Sequence, residues 1–229
     1  VVLLARSQEK LEQLRKELPT TLGNQHYYIS VDIGDRLALK QVIESFLQQY
    51  SSIQILINNT GGPASGSLLR ATEEEFLQAF QNHVLASSLL TRLLLPEMKK
   101  ASYGRIINVV STSVKIPIPN LGVSNTIRGA IANWSKTLSL ELGPFGITVN
   151  NVLPGFTDTP RLRTLIEETA NKGNKSKEEV EETWKNTIPL GRFASSDEVA
   201  AAVAFLASPA AGYINGTNLT VDGGRTGCL

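Results

Sequence analysis

Short apolar runs alternate along this chain with longer segments whose apolar residues recur at helical spacing. The run VVLLA (1–5) is followed by SQEKLEQLRKEL (7–18), and YYISVD (27–32) by LALKQVIESFLQQY (37–50). IQILINN (53–59) precedes a helical stretch over 71–100, and RIINVVS (105–111) precedes a helix that opens in LGVSN (121–125) and reaches about residue 142. ITVNNVLPG (147–155) and NLTVDGG (218–224) supply two more strands. Most of these strands are near-continuous apolar runs, as expected where both faces are covered. The alternation predicts a doubly wound, Rossmann-like parallel sheet between two helical layers, a three-layer α/β fold in a single domain over residues 1–229.

Residues 160–186 (PRLRTLIEETANKGNKSKEEVEETWKN) differ in character, being charged with apolar anchors at Leu162, Leu165, Ile166, Val180 and Trp184. They read as two short helices joined by a turn at 171–175, either an exposed hairpin or a lid over a substrate cleft. Downstream, SSDEVAAAVAFLAS reads as a helix capped by Ser195 or Ser196 ahead of Glu198. Ser124 reads as the N-cap of its own helix, with Asn125 able to serve equally.

A chain of 229 residues with 41% hydrophobic and 19% charged residues suits one domain with a sizeable core. Its formal net charge is +1 and its longest basic run is Lys99–Lys100, so no stripe of positive charge is offered to nucleic acid. No apolar run reaches the roughly 18 residues of a membrane span. The one cysteine, Cys228, has no internal partner, and His26 and His83 stand alone without zinc spacing. No metal site is expected, and a cytoplasmic setting is.

Taken in order, LINNTGG (56–62), GRIINVVS (104–111), ELGPFGITVNNVLPGFTDTP (141–160), IPLGR (188–192) and YINGTNLTVDGG (213–224) resemble the short-chain dehydrogenase/reductase family over the whole chain. The resemblance is greatest to bacterial members similar to 3-oxoacyl-acyl-carrier-protein reductase. That family opens on a strand and a TGxxxGxG turn that holds the cofactor pyrophosphate. Here no glycine precedes Gly23, and TGGPASG (60–66) follows a strand with the wrong spacing. The family's opening strand lies mid-sheet, beside the one starting at Val1. The natural chain is therefore expected to carry roughly 30 further N-terminal residues, one strand–helix unit.

The family's catalytic residues are Asn, Ser, Tyr and Lys, the last two spaced Tyr-x-x-x-Lys. Anchored on ELG (141–143) and LLP (94–96), those positions hold His83, Ser111, Ser124 and Arg128, so only the serine is retained. A serine hydroxyl is too weak an acid to replace the tyrosine near neutral pH, and an arginine stays charged. Arg128 can still hold a developing oxyanion or the cofactor's ribose and phosphates. Two routes keep reduction available. His83, with an ordinary pKa of about 6.5, can supply a proton directly or through water. Alternatively the substrate is a conjugated enone or unsaturated acyl group, whose enolate Ser111 and Arg128 hold until solvent protonates it. A family subgroup in antibiotic biosynthesis that lacks the tyrosine and reduces a conjugated system is similar in the asparagine near the start of the helix and the long segment after PGF. Without the resemblance, His83 is equally a core histidine and Arg128 a surface arginine.

At the end of the first strand, NAD-selecting members carry an acid where this chain has Ala5, followed by Arg6 and Ser7. Arg6 can pair with a 2′-phosphate, which implies NADP (NADPH) as cofactor, or it is a residue of a solvated turn. The resemblance also places Asp32 and Ile33 at the adenine edge, Asn59 and Gly61 in the turn under the adenosine ribose, and Pro154, Gly155, Thr157 and Thr159 at the nicotinamide amide. Family tetramers imply a homo-oligomer, a tetramer or dimer. The expected function is an NADPH-dependent oxidoreductase for a small, partly apolar carbonyl or conjugated substrate. Its rivals are a catalytically inactive nucleotide-binding subunit or sensor, and a scaffold without cofactor. The replaced residues are all polar and able to hydrogen-bond, which favours an enzyme.

Overall fold

The computed structural model describes residues 1–50 and 53–228. In chain order the elements are β1 (Val2–Ala5), α1 (Gln8–Glu17), β2 (Tyr27–Ser30), α2 (Arg36–Gln49), β3 (Ile55–Asn58), α3 (Glu73–Phe80), α4 (Ala86–Lys100), β4 (Gly104–Val109), α5 (Gly122–Leu142), β5 (Ile147–Pro154), α6 (Pro160–Gly173), α7 (Lys177–Lys185), α8 (Ser196–Ala207) and β6 (Asn218–Val221). All strand pairs are parallel, in the orders β1–β2 and β3–β4–β5–β6. The expected Rossmann-like α/β layering is present, but the described strands form two sheets, because β1 and β3 do not pair. Both sheets share one core. Leu4 of β1 and Ile29 of β2 pack against the cluster that holds Leu39, Leu56, Leu94, Met98 and Ile106.

The central strands β4 and β5 are buried along nearly their whole length, as their apolar runs require. β3 departs from that pattern: Leu56 and Asn58 are buried, while Ile55 and Ile57 remain 42% and 48% exposed on a face the described residues leave uncovered. Across the sheet, four asparagines stand in register. Asn58 Nδ2 donates to Asn108 Oδ1 at 2.8 Å, Asn108 Nδ2 to Asn151 Oδ1 at 3.2 Å, and Asn151 Nδ2 to Asn218 Oδ1 at 2.8 Å. Asn108 Nδ2 also donates to Ser135 Oγ of α5 at 2.8 Å, tying the helix to the ladder.

The stretch expected as one helix over 71–100 is broken. Thr72 caps α3 in a reciprocal box with Glu75, and a π-turn at Gln81–Leu85 then separates α3 from α4. The apolar period runs on through this widened turn, so the pattern gives no warning of it; such turns concentrate at functional sites. α8 is capped by Ser195, which settles the choice between the two serines. The expected turn at 171–175 is shorter, because α6 continues to Gly173 and ends on Asn174 in the left-handed conformation. Leu162, Ile166, Ala170 and Val180 of α6 and α7 form a small core of their own, with Phe156 stacked on Trp184 at 4.8 Å. Leu165 is only half-buried and lies outside that cluster.

Candidate active site

Because all strands are parallel, their carboxyl ends lie along one edge, the place where ligands bind in open α/β sheets. Ser111 follows β4 there, and its Oγ accepts from Ser113 N at 3.0 Å, opening a one-turn helix that packs on α5. The loop before α5 pairs Gly66 with Leu121, and a Cβ on Gly122 would lie 2.7 Å from the Leu68 backbone. Glycine thus lets the 60–68 segment lie directly against the start of α5.

Ser124 is inside α5 rather than at its cap. The helix starts on Gly122 with Leu121 as cap residue, and no side chain closes it. The expected cap by Ser124 or Asn125 is therefore absent: Asn125 instead braces the preceding loop, with Nδ2 donating to Ile118 O at 2.9 Å and Oδ1 accepting from Ile118 N at 3.3 Å. Ser124 Oγ makes no hydrogen bond among the described residues.

One turn further on, Arg128 is 9% exposed, and its position buries a guanidinium beneath the turn that follows β3. Nη1 donates to Val109 O at 3.0 Å and Nη2 to Thr60 O at 3.4 Å, while no carboxylate pairs with it among the described residues. A Cβ on Gly62 would lie 3.6 Å from Nη2, at ordinary van der Waals distance. Burial lowers the Arg128 pKa to about 10, which leaves the group charged at neutral pH.

His83 lies in the π-turn, 3% exposed, and its Nδ1 shares a hydrogen bond with Thr60 Oγ1. Burial first, and the Arg128 charge second, push its pKa down to about 4. The ordinary pKa expected for His83 from the sequence is corrected here: at neutral pH the imidazole is neutral. A pH dependence follows. The unfolded chain takes up this proton near pH 6.5 and the folded chain only near pH 4. His83 therefore costs nothing above pH 6.5 and progressively more as pH falls, up to roughly 3 kcal/mol below pH 4. Urea midpoints measured from pH 7 to 4 should fall less steeply for His83→Gln than for the wild type; equal slopes would place the His83 pKa near its ordinary value.

The structure thus gathers Thr60, His83 and Arg128 by direct bonds and sets Ser111 and Ser124 on the elements beside them. At the other end of the edge, Arg6 and Asp32 face each other from the ends of β1 and β2, Nη1 to Oδ2 3.9 Å, both well exposed. Ser7 precedes α1 with its hydroxyl unbonded among the described residues, and Asp32 Oδ1 accepts from Gly34 N at 2.8 Å. Ile33 packs against the main core. Asn59 and Gly61 are exposed on the turn above Arg128. Pro154 ends β5, and Gly155 lies so close to Asp222 that a Cβ would meet it at 2.6 Å. Thr157 Oγ1 donates to Gly155 O at 3.3 Å, and Thr159 caps α6. Two bonds missed in the sequence tie α6 to the turn after β3: Arg161 Nη2 donates to Pro63 O at 3.0 Å and Ser65 Oγ to Glu168 Oε2 at 2.7 Å. A separate cleft of about 250 Å³, lined by Phe156, Leu190, Arg192 and Asp222 among others, contains none of the four candidate catalytic residues.

A family model described as Enoyl-(Acyl carrier protein) reductase matches residues 1–226. The chain belongs to the short-chain dehydrogenase/reductase family. Among its relatives in that family, the NADPH-dependent reductase BacG of Bacillus subtilis is 33% identical over 193 residues, which cover 84% of this chain and 74% of that protein. The 3-oxoacyl-[acyl-carrier-protein] reductase FabG of Thermotoga maritima is 33% identical over 220 residues, covering 95% and 84%. The crystal structure of YwfH, an NADPH-dependent reductase involved in bacilysin biosynthesis, superimposes with a TM-score of 0.93 at 28% identity, covering 100% of this chain and 89% of that one. Short-chain family membership and the Rossmann-like fold therefore agree with the sequence-based expectation. No helix among the described residues is long and apolar enough to cross a membrane.

Proposed function

We propose that the chain is an NADPH-dependent short-chain reductase that acts on a small, partly apolar substrate and lacks the family's usual proton donor. The observation that carries this reading is Arg128, a buried and charged guanidinium with no carboxylate partner among the described residues, bonded to Val109 O and Thr60 O and close enough to His83 to lower its pKa. A cation so placed stabilises negative charge that arrives with a ligand or develops on it. The neutral His83 and the unactivated hydroxyl of Ser124 leave the site without a ready acid at neutral pH. That favours a conjugated enone or unsaturated acyl substrate over a simple ketone, since an enolate held by Ser111 and Arg128 can take its proton from solvent at carbon. NADPH bound along this edge supplies the hydride. In this reading α6 and α7 form a lid, held by the Arg161 and Ser65 bonds to the turn after β3.

The NADPH relatives and the chain's own residues support the cofactor assignment. Arg6 is exposed, its one ion-pair partner among the described residues is 3.9 Å away, and the free Ser7 hydroxyl stands beside it at the N-terminus of α1. Such a group fits a 2′-phosphate. Calorimetric titration should give much tighter binding of NADPH than of NADH. Arg6→Ala should weaken NADPH binding by about 10–100-fold and leave NADH unchanged. Equal loss for both cofactors would remove Arg6 from the phosphate site. The second reading, a catalytically silent nucleotide-binding subunit, is favoured by Ser124 at the family's tyrosine position; it predicts the same NADPH binding with no turnover on any ketone or enone. We also infer a homo-oligomer and a cytoplasmic setting, as in the family, to be checked by sedimentation and by fractionation.

A further inference from the structure

Thr60 joins two candidate residues that come from different parts of the fold. Its carbonyl oxygen accepts from Arg128 Nη2, and its hydroxyl bonds His83 Nδ1. A neutral imidazole holds one proton, and the partner of one nitrogen decides which nitrogen keeps it. Thr60 Oγ1 makes no other hydrogen bond among the described residues, so Nδ1 is the acceptor available to its proton. A proton on Nδ1 would leave the threonine O–H without that acceptor. The nearby guanidinium could not take its place, since it is a donor only. The π-turn and the deep burial of the ring leave His83 little freedom to find another partner.

We propose that Thr60 is a positioning residue: its hydroxyl donates to His83 Nδ1, fixes the imidazole proton on Nε2, and so makes His83 a neutral Nε2–H donor to the substrate oxygen. The proposal rests on the reductase reading, and its test separates the two. With only His26 and His83 in the chain, long-range ¹⁵N–¹H spectra of the full protein resolve each ring, and His26→Gln assigns them. The wild type should show His83 unprotonated at Nδ1 and protonated at Nε2 from pH 6 to 8. Thr60→Val, which keeps the shape and removes the hydroxyl, should give a mixture of tautomers and lower kcat about five- to tenfold with KM little changed. Thr60→Ser should restore both the spectrum and kcat. A wild-type proton on Nδ1, or a valine variant with unaltered spectrum and kcat, would overturn the assignment. Failure of the reductase reading would show separately, as wild-type protein that does not bind NADPH or that binds it without turnover on any ketone or enone, and the spectra would still decide the tautomer.

Discussion

Arg128→Leu should lower kcat/KM by about 10²–10³-fold while leaving the protein folded. Turnover would be measured with NADPH and the best substrate from a panel of ketones and conjugated enones, and folding by thermal melting. The two readouts separate because the charge has no internal reason to be there. Arg128 is 9% exposed and has no carboxylate partner among the described residues, and its pKa is lowered to about 10 by burial, a desolvation cost of roughly 3 kcal/mol. Leucine removes that cost along with the bonds to Val109 O and Thr60 O. The melting temperature should therefore move by no more than about 4 °C in either direction. A variant that loses activity only in proportion to lost folded protein would make Arg128 a structural brace.

Arg128→Lys is the informative partner of that experiment. Lysine keeps the charge but has no planar fork to span two carbonyls that approach from β4 and from the turn after β3. Intermediate activity is expected, above the leucine variant and below the wild type. Full activity would mean that charge alone matters at this position.

Much of this could be read from the chain because parallel strands covered on both faces leave apolar runs that few other elements produce. VVLLA, YYIS, RIINV and ITVNNVLP all became strands, and the GRIINVVS segment carried Ser111 to the sheet edge where ligands bind. What could not be read depended on geometry without a local signal. QNHVL continues the helical period, so the π-turn that seats His83 left no mark on it. Ser124 has the chemistry of a cap, but the helix starts two residues earlier because Gly122 can lie against the Leu68 backbone. The low pKa of His83 comes from burial and from Arg128 on a distant helix, and neither is a property of the residues around His83. Thr60 went unremarked within LINNTGG, because its partner His83 is brought to it only by the fold. The asparagines were visible one by one, and only the strand register made them a ladder.

Asn108→Ala should cost about 2–5 kcal/mol of stability, a fall in melting temperature of roughly 5–15 °C. Asn108 is 1% exposed and stands at the centre of the ladder, accepting from Asn58 and donating to Asn151 and to Ser135. Alanine leaves the Asn58 amide and the Asn151 carbonyl buried without these partners, and each unsatisfied group costs about 1–3 kcal/mol. It also leaves a small cavity under α5. Asn133→Ala, an exposed position on the same helix, is the control and should stay within about 0.5 kcal/mol of the wild type. The double variant Asn58→Ala/Asn108→Ala should be less destabilised than the two single effects summed, since the second change removes a group that the first had stranded. Additive effects would mean that water replaces the lost amides. The ladder also bears on the site. A one-residue slip of β4 would turn every buried side chain to the other face and carry Ser111 with it. Four amides that pair only in one register oppose that slip in a core whose apolar residues are largely interchangeable. The stability lost in Asn108→Ala should therefore be accompanied by a loss of turnover larger than the loss of folded protein.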